Sequence, residues 1–186
     1  MSFNVVIPAR LNSSRLKEKV LIEIHGIPML IHVAQRVRLS GAKNIVIATD
    51  DKKIAEVASQ YNFKSVMTNK NHLSGTDRCL EASDISMWSD HDIIVNVQAD
   101  EPLIDPALID LVAKNVSESE SGYVTACSEF KSYEEFLNPN NVKVVLDNLS
   151  HALYFSRSSI PYSSSTDLSH NNYAYHHLGI YAYRLN

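Results

Sequence analysis

Three short runs of β-branched residues constrain the fold more than any other feature: Val5-Val6-Ile7, Ile45-Val46-Ile47 and Ile93-Ile94-Val95. None of them alternates with polar residues, so each predicts a strand covered on both faces. Between the runs the apolar period changes. Met29, Leu30, Val33, Ala34 and Val37 recur at helical spacing after Pro28, and Ile54, Val57 and Ala58 do so after Asp50-Asp51. Both sites suit the start of a helix. Further helices are expected from about residue 76 into the high eighties, and from Pro106 with Leu108, Ile109, Val112 and Val116 on one face. Up to about residue 117 this order of strand, helix, strand, helix, strand predicts a mainly parallel, doubly wound sheet flanked by helices. Beyond it, strand-like runs at 123–127, 142–146, 152–155 and 175–183 predict an antiparallel extension, with a polar loop at 163–172.

The first strand ends at Pro8 and opens into a polar loop that sets Arg10, Arg15, Lys17 and Lys19 against one acid, Glu18. The whole chain carries a net charge of -4, so this local positive excess runs against its background. In an open α/β sheet, ligands sit outside the carboxyl ends of the strands. Arg presents a planar fork to phosphate oxygens and Lys a compact point charge. Ser13 and Ser14 are small enough to let backbone N–H groups approach a phosphate. The loop could be a solvated basic loop, but its position directly after the first strand favours an anion site. It is neither a P-loop nor a G-x-G-x-x-G turn, because no glycine precedes Gly26. Side chains must build such a cradle.

A second polar stretch, Asn96-Val97-Gln98-Ala99-Asp100-Glu101-Pro102, leaves the third β-branched run. A carboxylate there is placed to hold Mg²⁺, which takes one or two carboxylates together with substrate phosphates; the same residues also make an ordinary polar turn. His72, Ser74, Gly75, Thr76, Asp77 and Arg78 form another polar loop. Thr76 and Asp77 read as a helix start, with Arg78 able to turn back toward a ligand. In the last strands, Arg157 suits a carboxylate, and His177 and Tyr181, four apart, share a strand face. His176-His177 lacks zinc-ligand spacing. A chain of 186 residues, 45% of them hydrophobic, fits one domain. The charge balance argues against a nucleic-acid partner, and no run is long enough for a membrane span. Two distant cysteines, Cys79 and Cys127, fit a reducing cytoplasm.

Several of these segments, in this order, resemble one family. They are Ile7-Pro8-Ala9-Arg10 with Ser13, Arg15, Leu16 and Lys19; Ser74-Gly75-Thr76-Asp77-Arg78; and Val95-Asn96-Val97-Gln98 with Asp100-Glu101-Pro102. Asn138-Pro139-Asn140-Asn141-Val142-Lys143-Val144-Val145, Ala152-Leu153-Tyr154-Phe155-Ser156-Arg157 and His177-Leu178-Gly179-Ile180-Tyr181 follow. The chain is similar over its whole length to the 3-deoxy-manno-octulosonate (Kdo) cytidylyltransferases, the CMP-Kdo synthetases. The related sialic-acid enzymes share the first motif and are not expected to share the last two.

The resemblance implies a Rossmann-like nucleotidyltransferase fold in a single domain, with residues 1 to about 117 binding CTP and about 118–186 binding the sugar. It implies transfer of CMP from CTP to Kdo with release of pyrophosphate, assisted by Mg²⁺, for lipopolysaccharide assembly. Arg10, Lys19 and Asp100 would be catalytic, and Asp100 the metal ligand. Ala9, Arg10, Ser13, Arg15, Lys19, Ser74, Arg78 and Asp100 would contact CTP, and Gln98, Arg157, His177 and Tyr181 the sugar acid. A cytoplasmic homodimer is implied. Alternatives are a truncated homologue that binds without turning over, or another CMP-sugar synthetase.

Three departures stand out. Lys17-Glu18 replaces the family's Pro-Gly, and a left-handed backbone there strains Glu by roughly 1–2 kcal/mol. Ala99 replaces a glycine. The chain also stops soon after Tyr181, where the family is expected to continue into dimer contacts, further sugar contacts and a second metal carboxylate.

Overall fold

The structure, a computed structural model, describes residues 2–11, 16–162 and 174–185. The chain divides into two compact units, one made of residues 1–124 and 180–186 and the other of residues 125–179.

In the first unit β1 (Phe3–Ala9) leads through a 3-10 turn (Lys19–Leu21) into a small hairpin, β2 (Glu23–Ile24) and β3 (Ile27–Pro28). The hairpin loop is His25-Gly26, with φ of 52° and 77°. Both angles are positive, as a tight two-residue hairpin turn demands. Then come α1 (Met29–Val37), β4 (Asn44–Thr49), α2 (Lys52–Gln60), β5 (Lys64–Met67), α3 (Gly75–Ile85), β6 (Ile93–Asn96) and α4 (Pro106–Glu118). The expected alternation is present, and the helix starts fall where the capping residues placed them. Asp51 accepts from the N–H of Lys53, and Asp105 from that of Ala107, just ahead of Pro106.

β1 lies between β4 and β6 and runs parallel to both, with Val5 opposite Ile45 and Val95. β5 extends the sheet beyond β4, again in parallel. Val5, Val6, Ile7, Val46, Ile47, Ile94 and Val95 expose no surface. Helices on both faces account for this, and for the absence of polar alternation in the three runs. α3 covers one face through Cys79 and Ala82, which pack with Val6, Ala48 and Ile94. α1 packs against both β1 and α4. The last strand, β10 (Ala174–Arg184), ends in this unit and pairs antiparallel to β6, Tyr181 opposite Asn96 and Tyr183 opposite Ile94. Beside it, Arg184 Nη2 donates to the carbonyls of Val116 and Ser117 at 3.0 and 3.2 Å, closing the end of α4.

The second unit takes over partway along β7 (Tyr123–Ser128) and adds α5 (Tyr133–Leu137), β8 (Lys143–Leu146) and β9 (Ala152–Ser156). α5 is a short helix that the apolar pattern does not announce; Ser132 caps it by accepting from Glu135 N–H. β8 lies between β9 and the start of β10, antiparallel to each. Lys143 is wholly buried. Its ammonium donates to the carbonyls of Asn138, Asn141 and Arg157 at 2.8, 3.0 and 3.1 Å. This cation holds the Asn138 turn against the end of β9.

Candidate active site

β1 delivers Ala9, fully buried, and then Arg10 to the carboxyl end of the parallel strands. Arg10 Nη2 donates to the carbonyls of His72 at 2.7 Å and Ser74 at 3.0 Å. The loop that follows is tied at its base, where Glu18 N–H donates to Leu11 O at 3.2 Å. Ser13 and Arg15 lie outside the described residues. Glu18 has φ 55° and ψ 27°, the left-handed conformation that a glycine adopts without strain. Its carboxylate does not stand alone beside the cations, because Oε2 meets Lys53 Nζ of α2 at 2.6 Å.

Lys19, in the 3-10 turn, places Nζ 2.6 Å from Oδ2 of Asp100, just beyond β6. The two side chains are 35% and 40% exposed, so water screens the pair and it contributes about 0–1 kcal/mol to the fold. In a cation and a carboxylate held in contact at a strand end, yet open to solvent, the ammonium can be recruited by a polyanion and the carboxylate by a divalent cation that accompanies it. Glu101, the next residue, is pushed above the usual carboxylate range by partial burial and then by Asp100. Gln98 Nε2 donates to Asn96 Oδ1 at 3.2 Å, and Asn96 Nδ2 is buried with no partner among the described residues.

Ser74 caps α3. It accepts from Asp77 N–H at 3.1 Å, and Asp77 Oδ2 accepts from Ser74 N–H at 3.0 Å. These bonds hold the Asp77 carboxyl below its usual range. The helix start expected at Thr76-Asp77 is therefore present as a capping box. Arg78 exposes no surface. Its Nη1 donates to Thr68 Oγ1, and Nη2 lies 3.4 Å from Asp50 Oδ1. Burial pulls the guanidinium pKa down while Asp50 supports its charge. Arg78 Nε has no hydrogen-bond partner among the described residues.

Tyr181, also in the first unit, is tilted against Tyr123 at a 6.0 Å centroid distance. Arg157 and His177 belong to the second unit. Arg157 Nη1 donates to the carbonyls of Pro139 and Asn140 at 3.0 and 3.3 Å. The His177 ring bonds Thr125 Oγ1 at 2.9 Å and meets Phe155 edge-on at 4.8 Å. Burial pulls its pKa below 6.5, so it is neutral at neutral pH. Gly179, at φ 70°, falls between His177 and Tyr181 and interrupts the two-residue alternation that grouped them.

Among the described residues no three His, Cys, Asp or Glu side chains gather as a metal cluster. None of the described helices is long and apolar enough to cross a membrane. The structure adds residues that the sequence did not mark: Asp50, Lys53, His72 in a paired role, Glu81 and Lys143. Only Lys143 left a signal, as a charge inside an apolar strand.

A doubly wound parallel sheet with cationic side chains at its carboxyl ends is the architecture of nucleotide-handling α/β proteins. Comparison with known proteins narrows this. A family model described as cytidylyltransferase matches residues 4–186. The 3-deoxy-manno-octulosonate cytidylyltransferase of Serratia proteamaculans (strain 568) is 44% identical over 188 residues, covering 99% of this chain and 76% of the relative. That of Neisseria meningitidis serogroup C (strain 053442) is 45% identical, covering 98% and 74%. A solved CMP:2-keto-3-deoxy-manno-octonic acid synthetase complexed with CTP superposes with a TM-score of 0.87 at 36% identity, covering 100% of this chain and 75% of that one. The chain belongs to the cytidylyltransferase family, among its 3-deoxy-manno-octulosonate members.

Proposed function

We propose that this chain transfers CMP from CTP to 3-deoxy-manno-octulosonate, making the activated sugar used for lipopolysaccharide in the cytoplasm. The observation that carries the reading is the Lys19–Asp100 contact at the carboxyl ends of β1 and β6, in a chain with full-length similarity to enzymes of that name. The anomeric hydroxyl oxygen attacks the α-phosphorus as the bond to the bridging oxygen breaks. Pyrophosphate leaves with the bonding pair, and the hydroxyl proton passes to solvent.

Such chemistry needs placement and charge neutralisation more than covalent help. Arg10 and Lys19 supply positive charge at the strand ends; Ser13 and Arg15, outside the described residues, are further candidates for the phosphates. Ala9 and Ser74 present backbone at the nucleotide. The buried Nε of Arg78 and Nδ2 of Asn96 are donors left over by the fold, fitted to acceptors on a base or sugar. Asp100 offers an exposed carboxylate oxygen, a hard donor of the kind Mg²⁺ takes, and would hold it together with the phosphates. Bound there, the ion would neutralise charge on the α-phosphate and on the departing pyrophosphate. Gln98, Arg157, His177 and Tyr181 are the candidates for the sugar acid.

Pyrophosphate release from CTP, Kdo and Mg²⁺ tests the reading. Release that depends on all of them is expected. CTP binding without release would favour a binding-only homologue, and release with sialic acid but not Kdo would favour a different sugar.

A further inference from the structure

Glu81 stands two turns into α3, yet its carboxylate reaches back to the loop that precedes the helix. Oε2 accepts from Asn69 N–H at 2.8 Å and also contacts Nε2 of His72. Asn69 Oδ1 in turn accepts from Asn71 N–H at 2.9 Å. One carboxylate oxygen therefore fixes both ends of the 69–72 turn. The opposite side of His72 is held just as firmly, since its carbonyl and that of Ser74 receive Arg10 Nη2 at 2.7 and 3.0 Å. His72 is thus gripped by its ring from α3 and by its carbonyl from the end of β1. Neither His72 nor Glu81 is among the residues placed around the nucleotide above.

We propose that the His72–Glu81 pair is a positioning device for Arg10. By fixing the carbonyls of residues 72 and 74, it fixes the direction of the guanidinium that faces the triphosphate. An Arg side chain left to itself samples many rotamers, and ordering it costs conformational entropy. Two carbonyls clamped in place remove most of that freedom before the ligand arrives. The side chains of the pair are 18% and 33% exposed, so the contact is shielded more than a surface ion pair. The lowered Glu81 pKa, caused first by its bond to His72, agrees with a formed pair.

The inference rests on the reading that Arg10 binds CTP phosphates, and the test separates the two. Amide hydrogen exchange in the substrate-free protein needs no assumption about the reaction. Glu81→Ala should speed exchange at residues 69–75 and leave β1 and β6 protected, while Glu81→Gln, which keeps an acceptor oxygen, should stay near the parent. Unchanged exchange at 69–75 in Glu81→Ala overturns the positioning role.

Steady-state kinetics supply the second readout. Glu81→Ala should raise KM for CTP about tenfold, the worth of one charge-assisted hydrogen bond, with kcat and KM for Kdo nearly unchanged. Added to Arg10→Ala, it should raise KM for CTP no further. A uniform fall in kcat with both KM values altered, or full additivity with Arg10→Ala, would overturn the proposal. If the parent protein shows no turnover at all, the functional reading is what fails, and the exchange data still decide the role of the pair.

Discussion

Glu18 and Lys53 lie 35 positions apart in sequence and meet at 2.6 Å, the carboxylate on a left-handed residue and the ammonium on α2. The pair compensates the negative charge that Glu18 brings among the cations of its loop. It does not remove the backbone strain. Glu18→Gly should relieve about 1–2 kcal/mol of strain. Against that stand the lost ion pair, about 0–1 kcal/mol for side chains 36% and 55% exposed, and about 0.4–1 kcal/mol of added freedom in the unfolded chain. These nearly cancel, so the melting temperature should move little. KM for CTP should fall in Glu18→Gly and rise in Lys53→Ala, which leaves the carboxylate uncompensated. The reverse order would show that the loop does not feel this charge.

Lys19→Ala should weaken CTP binding about 10- to 100-fold, the range for a hydrogen bond to a charged group, with little change in melting temperature. Calorimetric titration of CTP into both proteins measures it. Equal affinities would remove Lys19 from the site.

Asp100→Asn keeps the shape of the side chain and removes the charge. The fold should survive, because the pair it breaks is half-exposed. Activity that depends on Mg²⁺ should be lost or need far more of the ion. Retention of most of the rate at the same Mg²⁺ concentration would end the metal assignment.

Much of this site was legible in the sequence, for physical reasons. The β-branched runs of β1, β4 and β6 admit no other element, and Ser74 with Asp77 three residues on is a capping signal that needs no tertiary help. The loop cations and the acid after β6 were recognisable as types, and Lys19 with Asp100 proved to be neighbours. Long-range partnership was not legible. Asp50 and Thr68, distant in sequence, meet the Arg78 guanidinium in the interior and leave its Nε without a partner among the described residues, a pairing that no local pattern announces. Nothing in the sequence sets Glu81 apart, since its partners are set by how the 68–74 segment folds back.

Lys143→Met tests the cation under the Asn138 turn. The substitution leaves three part-buried carbonyls without their donor. Loss of about 3 kcal/mol is expected, read as a lower urea midpoint. A loss below about 1 kcal/mol would mean that the turn is held by other contacts.

Burial, with His176 beside it, holds the His177 imidazole below 6.5. As pH falls through that value the unfolded chain takes up the proton first, so stability present above it is lost on the way down. His176 shifts in the same direction. Asp77, Glu81 and Asp147, held low, matter only near and below their ordinary values of 3.8 to 4.5. Between about pH 6.5 and 5 the histidines therefore lower stability as pH falls, while Glu101, held high and protonated first in the folded state, acts in the opposite direction, so the share of His177 is read as a difference between variants. His177→Gln, which can still bond Thr125, should lose less stability than the parent between about pH 7 and 5 by urea unfolding. An equal loss would place the effect elsewhere.

β1 precedes both of its partners in the chain, β4 on one side and β6 on the other. Phe3 pairs with Ile93, a segment translated some 90 residues later. At about 5–20 residues per second the wait is roughly 5–20 s. β4 follows about 40 residues after β1 and can close one edge by then, but the edge that faces β6 stays open for the whole interval. The edge that β6 will cover, at whose end Asp100 sits, therefore closes last, and the contact of Lys19 with Asp100 can form only after that long-range pairing.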